Sequence, residues 1–250
     1  MTISKINSNS INTDEQTLSF STSGTERMRI DSSGNVGIGT SSPNSYSGYK
    51  TLTLNGTSGS LLDFEVNGSM TGEIYADGAT VFGIQSIGST ELNFKTDNTE
   101  RMRIDSSGRV AMPYQPAFSV GGSSNTYITQ SPILFNNIEL NRNNVYNSST
   151  GVFTAPVSGA YKIDVQVYCR CGTGENAYPR IQKSTNGGSS WTNFSYSYLG
   201  DQASGQVDTT LNINVIMDLN ANDLVRVLFQ GTGDYYHGRE ETRFSGFLIG

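Results

Sequence analysis

The stretch Tyr235-Tyr236-His237-Gly238-Arg239 sets two phenols, an imidazole and a guanidinium within five residues. Flat aromatic faces stack on the C–H side of a sugar ring, and a guanidinium fork donates to its oxygens. Residues of this kind grip partners. With Gly238 and Glu240-Glu241 beside it, the stretch reads as an exposed loop between two strands. Its other reading is packing of Tyr235 and Tyr236 against neighbouring protomers. Trp191, the one tryptophan, follows a hairpin turn at Asn186-Gly187-Gly188 and reads either as a sugar platform or as a plug for a sheet edge. Phe194, Tyr196 and Tyr198 alternate with Ser195 and Ser197, which turns their rings to one face of a strand. Trp191, Tyr196, Tyr198, Tyr235, Tyr236, His237 and Arg239 are therefore the candidate receptor-binding residues.

Catalysis finds no comparable pattern. His237 is the one histidine, so a nucleophile–base triad has a single possible base. Glycoside cleavage needs two carboxylates about 5 to 9.5 Å apart in a cleft, whereas Asp201, Asp234, Glu240 and Glu241 read as solvated loop positions. Cys169 and Cys171 continue the apolar face of a strand, a placement that disfavours a bond between them and fits two small buried hydrophobes. A zinc site would need two further ligands. Gly34-x-x-Gly37-x-Gly39 leads into a strand pattern and not into the helix that a phosphate-binding loop requires. The expectation is a non-enzyme with no catalytic residues, metal site or cofactor.

The formal net charge is −6 and the pI about 4.8, which argues against nucleic-acid binding. No apolar run approaches the roughly 18 residues of a membrane span, so membrane insertion is not expected. The start, MTISKINSNS, lacks the apolar segment of a secretory leader, and synthesis in a reducing cytoplasm is expected. Glycine accounts for 28 of 250 residues, above the usual ~7%. No segment sustains a 3.6-residue apolar period, so the expected class is all-β and rich in turns.

The elements follow from period 2. Tyr161, Ile163, Val165 and Val167 share one face, with Lys162, Asp164 and Gln166 on the other; Leu211, Ile213, Val215, Met217 and Leu219 alternate likewise. A turn at Asn220-Ala221-Asn222-Asp223 leads to Val225, Val227 and Phe229. Eight to ten strands are expected after Pro116. The phrase TERMRIDSSG occurs twice, beginning at Thr25 and at Thr99, inside a longer match that starts at Leu18 and Leu92. Each copy reads as strand, turn, strand. Between them, segments closing on Asn67-Gly68 and Asp77-Gly78 read as short strands. Strands so short bury little apolar area alone, and three chains together would supply the missing core.

Two resemblances carry these pieces further. Gly151-x-Phe153-x-Ala155-Pro156-x-x-Gly159-x-Tyr161, with the closing Phe244-Ser245-Gly246-Phe247-Leu248-Ile249, resembles the C1q/TNF-like jelly roll. TERMRIDSSGNVGIGT resembles a module of bacteriophage tail fibres. Together they imply an all-β homotrimer: glycine-rich shaft repeats followed by a C1q-like jelly-roll β-sandwich. Residues 1–14 would attach to other virion tail proteins, 15–50 form the first β repeat, 51–115 the second β repeat and linker, and 116–250 the head. The implied function is adhesion of a virion tail to a host-cell surface glycan or protein; the alternative is a structural fibre or trimerisation clamp. Calcium occurs in some C1q-like heads, where Asp218, Asp223 and Asp234 would be the oxygen ligands here.

Overall fold

The computed structural model describes residues 17–78, 80–129, 131–200, 203–238 and 240–250. Among these there are strands and turns and no α-helix. The chain divides into two compact units, Met1–Ala111 and Met112–Gly250.

In the first unit β1 (Leu18–Thr22), β2 (Thr25–Ile30), β3 (Val36–Ile38) and β4 (Leu52–Leu54) form a sheet in that order. A second sheet is the meander β5 (Gly59–Val66), β6 (Ser69–Asp77) and β7 (Val81–Ser86). The third holds β8 (Leu92–Thr96), β9 (Thr99–Ile104) and β10 (Val110–Ala111). The two copies of the repeated phrase fold in one register: Leu18 faces Ile30 as Leu92 faces Ile104, with a shift after Phe20 and after Phe94. Their turns are built by the aspartate. Asp31 Oδ1 accepts the Ser33 and Asn35 N–H groups at 2.9 and 2.8 Å, and Asp105 Oδ1 accepts those of Ser107 and Arg109 at 2.9 and 3.0 Å. These bonds, led by the Asn35 and Arg109 N–H groups, hold both carboxyls below their usual range.

The meander is amphipathic. Leu62 lies opposite Ile74 and Ile74 opposite Ile84, so the three share a face, flanked by Phe64 and Phe82; Asp63, Glu73 and Gln85 take the other face. Its apolar face is open, with Phe82 76% and Ile84 52% exposed.

The second unit contains β11 (Ala117–Gly121), β12 (Tyr127–Ile128), β13 (Asn137–Arg142), β14 (Tyr146–Asn147), β15 (Val152–Thr154), β16 (Gly159–Cys171), β17 (Ala177–Ser184), β18 (Thr192–Tyr196), β19 (Val207–Leu219), β20 (Leu224–Gly231), β21 (Asp234–Tyr236) and β22 (Arg243–Leu248). One sheet runs β12-β21-β16-β22-β11-β13, with β19 on the other edge of β16; the second runs β14-β15-β20-β17-β18. Among the described residues these twelve strands exceed the expected eight to ten, because several are only two or three residues long.

The sheets close on a core to which both contribute. Tyr161, Ile163, Val165 and Val167 are buried as their spacing requires, and Cys169 and Cys171 continue the face as free buried thiols. Ile181, Val225, Val227 and Phe229 meet them from the other sheet. Phe118 packs 4.8 Å from Phe153 across the sandwich and 4.7 Å from Phe244 beside it, ring centre to ring centre. Gly151 takes φ +71°, and a Cβ there would meet the Ile133 carbonyl oxygen at 2.6 Å. That dual constraint explains why the turn before β15 needs a glycine.

Candidate functional site

The five-stranded sheet presents the arrangement richest in binding chemistry. On β17, Ala177, Pro179 and Ile181 point into the core, so Tyr178, Arg180 and Gln182 point outward. Cross-strand register then assembles a surface: Arg180 lies between Tyr196 of β18 and Leu228 of β20, and Gln182 lies opposite Arg226. Tyr178 stacks on Tyr198 with ring centres 5.1 Å apart and planes 20° from parallel. The Arg180 guanidinium carbon stands 5.2 Å from the Tyr178 ring centre and 5.6 Å from that of Tyr196. Such cation–π contacts orient the rings while leaving their far sides free. Tyr196 is 63% and Tyr198 51% exposed.

A second group adjoins the first. Arg226 Nε donates to Gln182 Oε1 at 3.0 Å, and Gln182 Nε2 donates to Asn193 Oδ1 at 3.0 Å. The Arg226 guanidinium carbon caps the Trp191 ring at 3.9 Å, while Trp191 Nε1 donates to the Gly188 carbonyl at 3.0 Å. Trp191 is therefore half-buried and pinned at both ends. Burial lowers the Arg226 pKa.

The Tyr235–His237 segment does not form the exposed loop its composition implies. Asp234–Tyr236 is strand β21, paired with Tyr127 and Ile128 on one side and with Cys169 and Arg170 on the other. Tyr235 is fully buried against Phe229, with ring centres 4.8 Å apart. His237 is 3% exposed; its Nε2 lies 2.6 Å from the Leu134 carbonyl oxygen, and its Nδ1 faces the Ser123 N–H at 3.3 Å and the Ser124 hydroxyl at 3.1 Å. Both residues belong to the core, and neither is placed to touch a receptor. Tyr236 is half-buried among Tyr127 and Tyr168, while Arg170 sits 3.4 Å over the Tyr127 ring. Arg239 and Asp201 lie outside the described residues.

The described acidic candidates do not converge on one point. Asp223 pairs with Lys183 at 2.8 Å; burial pushes its carboxyl up, but the Lys183 and Asn220 bonds outweigh that and leave it below its usual value. Lys183 also donates to the Asp218 carbonyl at 3.0 Å. Asp234 rises through burial, opposed by Arg170 and reinforced by Glu175 and Asp208. Among the described residues no three His, Cys, Asp or Glu side chains converge as a metal site.

Tyr178, Arg180 and Arg226 are the additions to the candidate set. The sequence signal for Tyr178 and Arg180 was the alternation Tyr178-x-Arg180-x-Gln182, obscured by Pro179, which argues against a strand interior; Arg226 joins them only through the pairing of β17 with β20.

Solved structures similar to this chain include the globular domain of zebrafish complement 1qA, 22% identical with TM-score 0.42, over 54% of this chain and 98% of that one. Murine APRIL is 9% identical with TM-score 0.44, over 54% and 99%. Eiger TNF from S. frugiperda is 10% identical with TM-score 0.45, over 54% and 93%. The C1q domain model matches residues 117–249, more than half of the sequence, and the chain belongs to the C1q domain family.

Proposed function

We propose that this chain is the protomer of a trimeric bacteriophage tail fibre whose C1q domain recognises a glycan on the host surface. The observation that carries the reading is the outward row Tyr198, Tyr178, Arg180 and Tyr196, where exposed rings are held in fixed orientations with no role in the core. C1q domains are often trimeric recognition domains and are generally non-enzymatic. Trimerisation is supported by apolar surface that one chain leaves open: Leu62, Phe64, Phe82 and Ile84 on the meander, and Ile138, Ile216 and Phe247 on the seven-stranded sheet. Three such heads per fibre convert weak single contacts into firm adhesion through effective concentration.

The same open surface favours a second reading, a purely structural trimer clamp with no receptor site. Light scattering comes first: three times the 27.0 kDa of one chain is 81 kDa, and a folded monomer would overturn both readings. Glycan-array binding by wild type and the Tyr196→Ala variant then separates them. Loss of binding by a variant of trimer mass supports recognition, and a trimer that binds no glycan at all leaves the clamp. Calcium at the head is a further proposal, tested by whether chelation lowers its melting temperature.

A further inference from the structure

The charges on the five-stranded sheet are one-sided. Its strands, Tyr146–Asn147, Val152–Thr154, Ala177–Ser184, Thr192–Tyr196 and Leu224–Gly231, contain no Asp or Glu, although the chain as a whole is acidic at −6. Three cations stand on them. Lys183 is neutralised by Asp223. Arg180 and Arg226 have no carboxylate partner among the described residues, and Arg180 Nε is buried without any acceptor. On the other sheet Lys162 pairs with Asp164, Arg170 with Asp208 and Arg243 with Glu139, and Arg142 is the cation without a carboxylate partner among the described residues.

Register puts the two arginines on one face. Arg180 is opposite Leu228 and Gln182 opposite Arg226, so Arg180 and Arg226 are diagonal neighbours, about 7–8 Å apart. Each guanidinium stands against aromatic rings, Arg180 at Tyr178 and Tyr196 and Arg226 at Trp191, and burial of Arg226 disfavours its charged form. An anion laid between them would supply the counter-charge that the sheet itself lacks. The flanking groups define its form. Tyr196, opposite Arg180, and Tyr198, stacked on Tyr178, are both more than half exposed, and their open faces suit the flat C–H side of a ring with the carboxylate reaching the guanidinium fork.

We propose that the outward face of β17, β18 and β20 binds a carboxylated saccharide, a uronic-acid-type sugar whose carboxylate lies across Arg180 and Arg226 and whose ring stacks on Tyr196 or Tyr198. This rests on the glycan-recognition reading above and narrows its ligand class.

The test uses the full chain in calorimetric titration against oligogalacturonate and oligoalginate, with methyl-esterified oligogalacturonate as a probe that keeps the rings and removes the charge. Wild type should bind an acidic form at least about tenfold more tightly than the ester. The preference should fade as NaCl rises from about 0.05 M to about 0.5 M, where screening shortens to a few ångströms. Arg180→Gln and Arg226→Gln should each weaken acidic binding about tenfold, with Arg180→Lys intermediate because it keeps charge and loses the fork. Unchanged oligomer mass and melting temperature confirm that the variants are folded. Equal binding of acid and ester, or arginine variants that bind like wild type, overturns the inference while glycan recognition stands. No binding to any saccharide, acidic or neutral, overturns both.

Discussion

His237 Nε2 lies 2.6 Å from the carbonyl oxygen of Leu134, and that bond ties the end of β21 to a segment more than a hundred residues earlier. With Nε2–H donating, Nδ1 is free to accept the Ser123 N–H and the Ser124 hydroxyl. His237→Ala leaves all three groups without this partner in a buried place. A loss of about 1–3 kcal/mol is expected, read as a shifted urea midpoint with unchanged slope.

The aromatic nest around Phe118 should be the most sensitive part of the sandwich. Phe244→Ala removes a fully buried ring that touches Phe118, Phe135 and Tyr146. The expected cost is about 3–5 kcal/mol, against less than about 0.5 kcal/mol for an exposed replacement such as Val157→Ser. Equal midpoints for the two variants would contradict the core assignment.

Acid should act on the two buried-side aspartates in opposite directions. Asp223 titrates below its 3.8 reference in the fold, so its stabilisation is present above that value and is lost as pH falls through the folded pKa. Asp234 titrates above 3.8, so its protonated form suits the fold and a penalty appears as pH rises through the folded pKa. Asp223→Asn should lower the melting temperature at pH 7 by a few degrees and do little at pH 3. Asp234→Asn should raise it by about 1–3 °C at pH 7 and do little at pH 3.

Neither cysteine should react in the native state. Burial pushes the Cys169 thiol up to about 12, with Cys171 and Asp234 adding to it, and burial also raises Cys171. A thiol reagent at pH 8 should find no fast-reacting group in the folded chain and two in denaturant. Replacing both with alanine should leave oligomer mass unchanged.

Legibility in the sequence followed how strictly each strand alternates. β16 and β19 have uninterrupted period-2 patterns, so their buried faces could be read residue by residue. β17 was hidden by Pro179 and by the burial of Gln182 and Ser184, whose polarity is met by Asn193, Arg226 and Asn186. β21 misled for the opposite reason. Tyr, Tyr and His resemble binding-loop residues in type, but Tyr235 fills the core and His237 finds its partners 103 and more residues away, where local composition carries no trace. The candidate site suffered likewise: Tyr196 and Tyr198 were visible as an alternating pair, whereas Arg180 and Arg226 acquire meaning only through the pairing of β17 with β20.

β22 sits between β11 and β16, so the middle of the seven-stranded sheet is filled by residues 243–248. During synthesis β11 and β16 emerge well before their common neighbour, and each waits with one edge of hydrogen-bonding groups unpaired. This domain can therefore close only once residues 243–248 have left the ribosome, and until then nascent chains on one polysome carry matching open edges at close quarters. Slow codons or a cold shock before residue 243 would prolong that interval and favour tangled neighbours over finished domains, a hazard set by strand order and untouched by the stability of the completed fold.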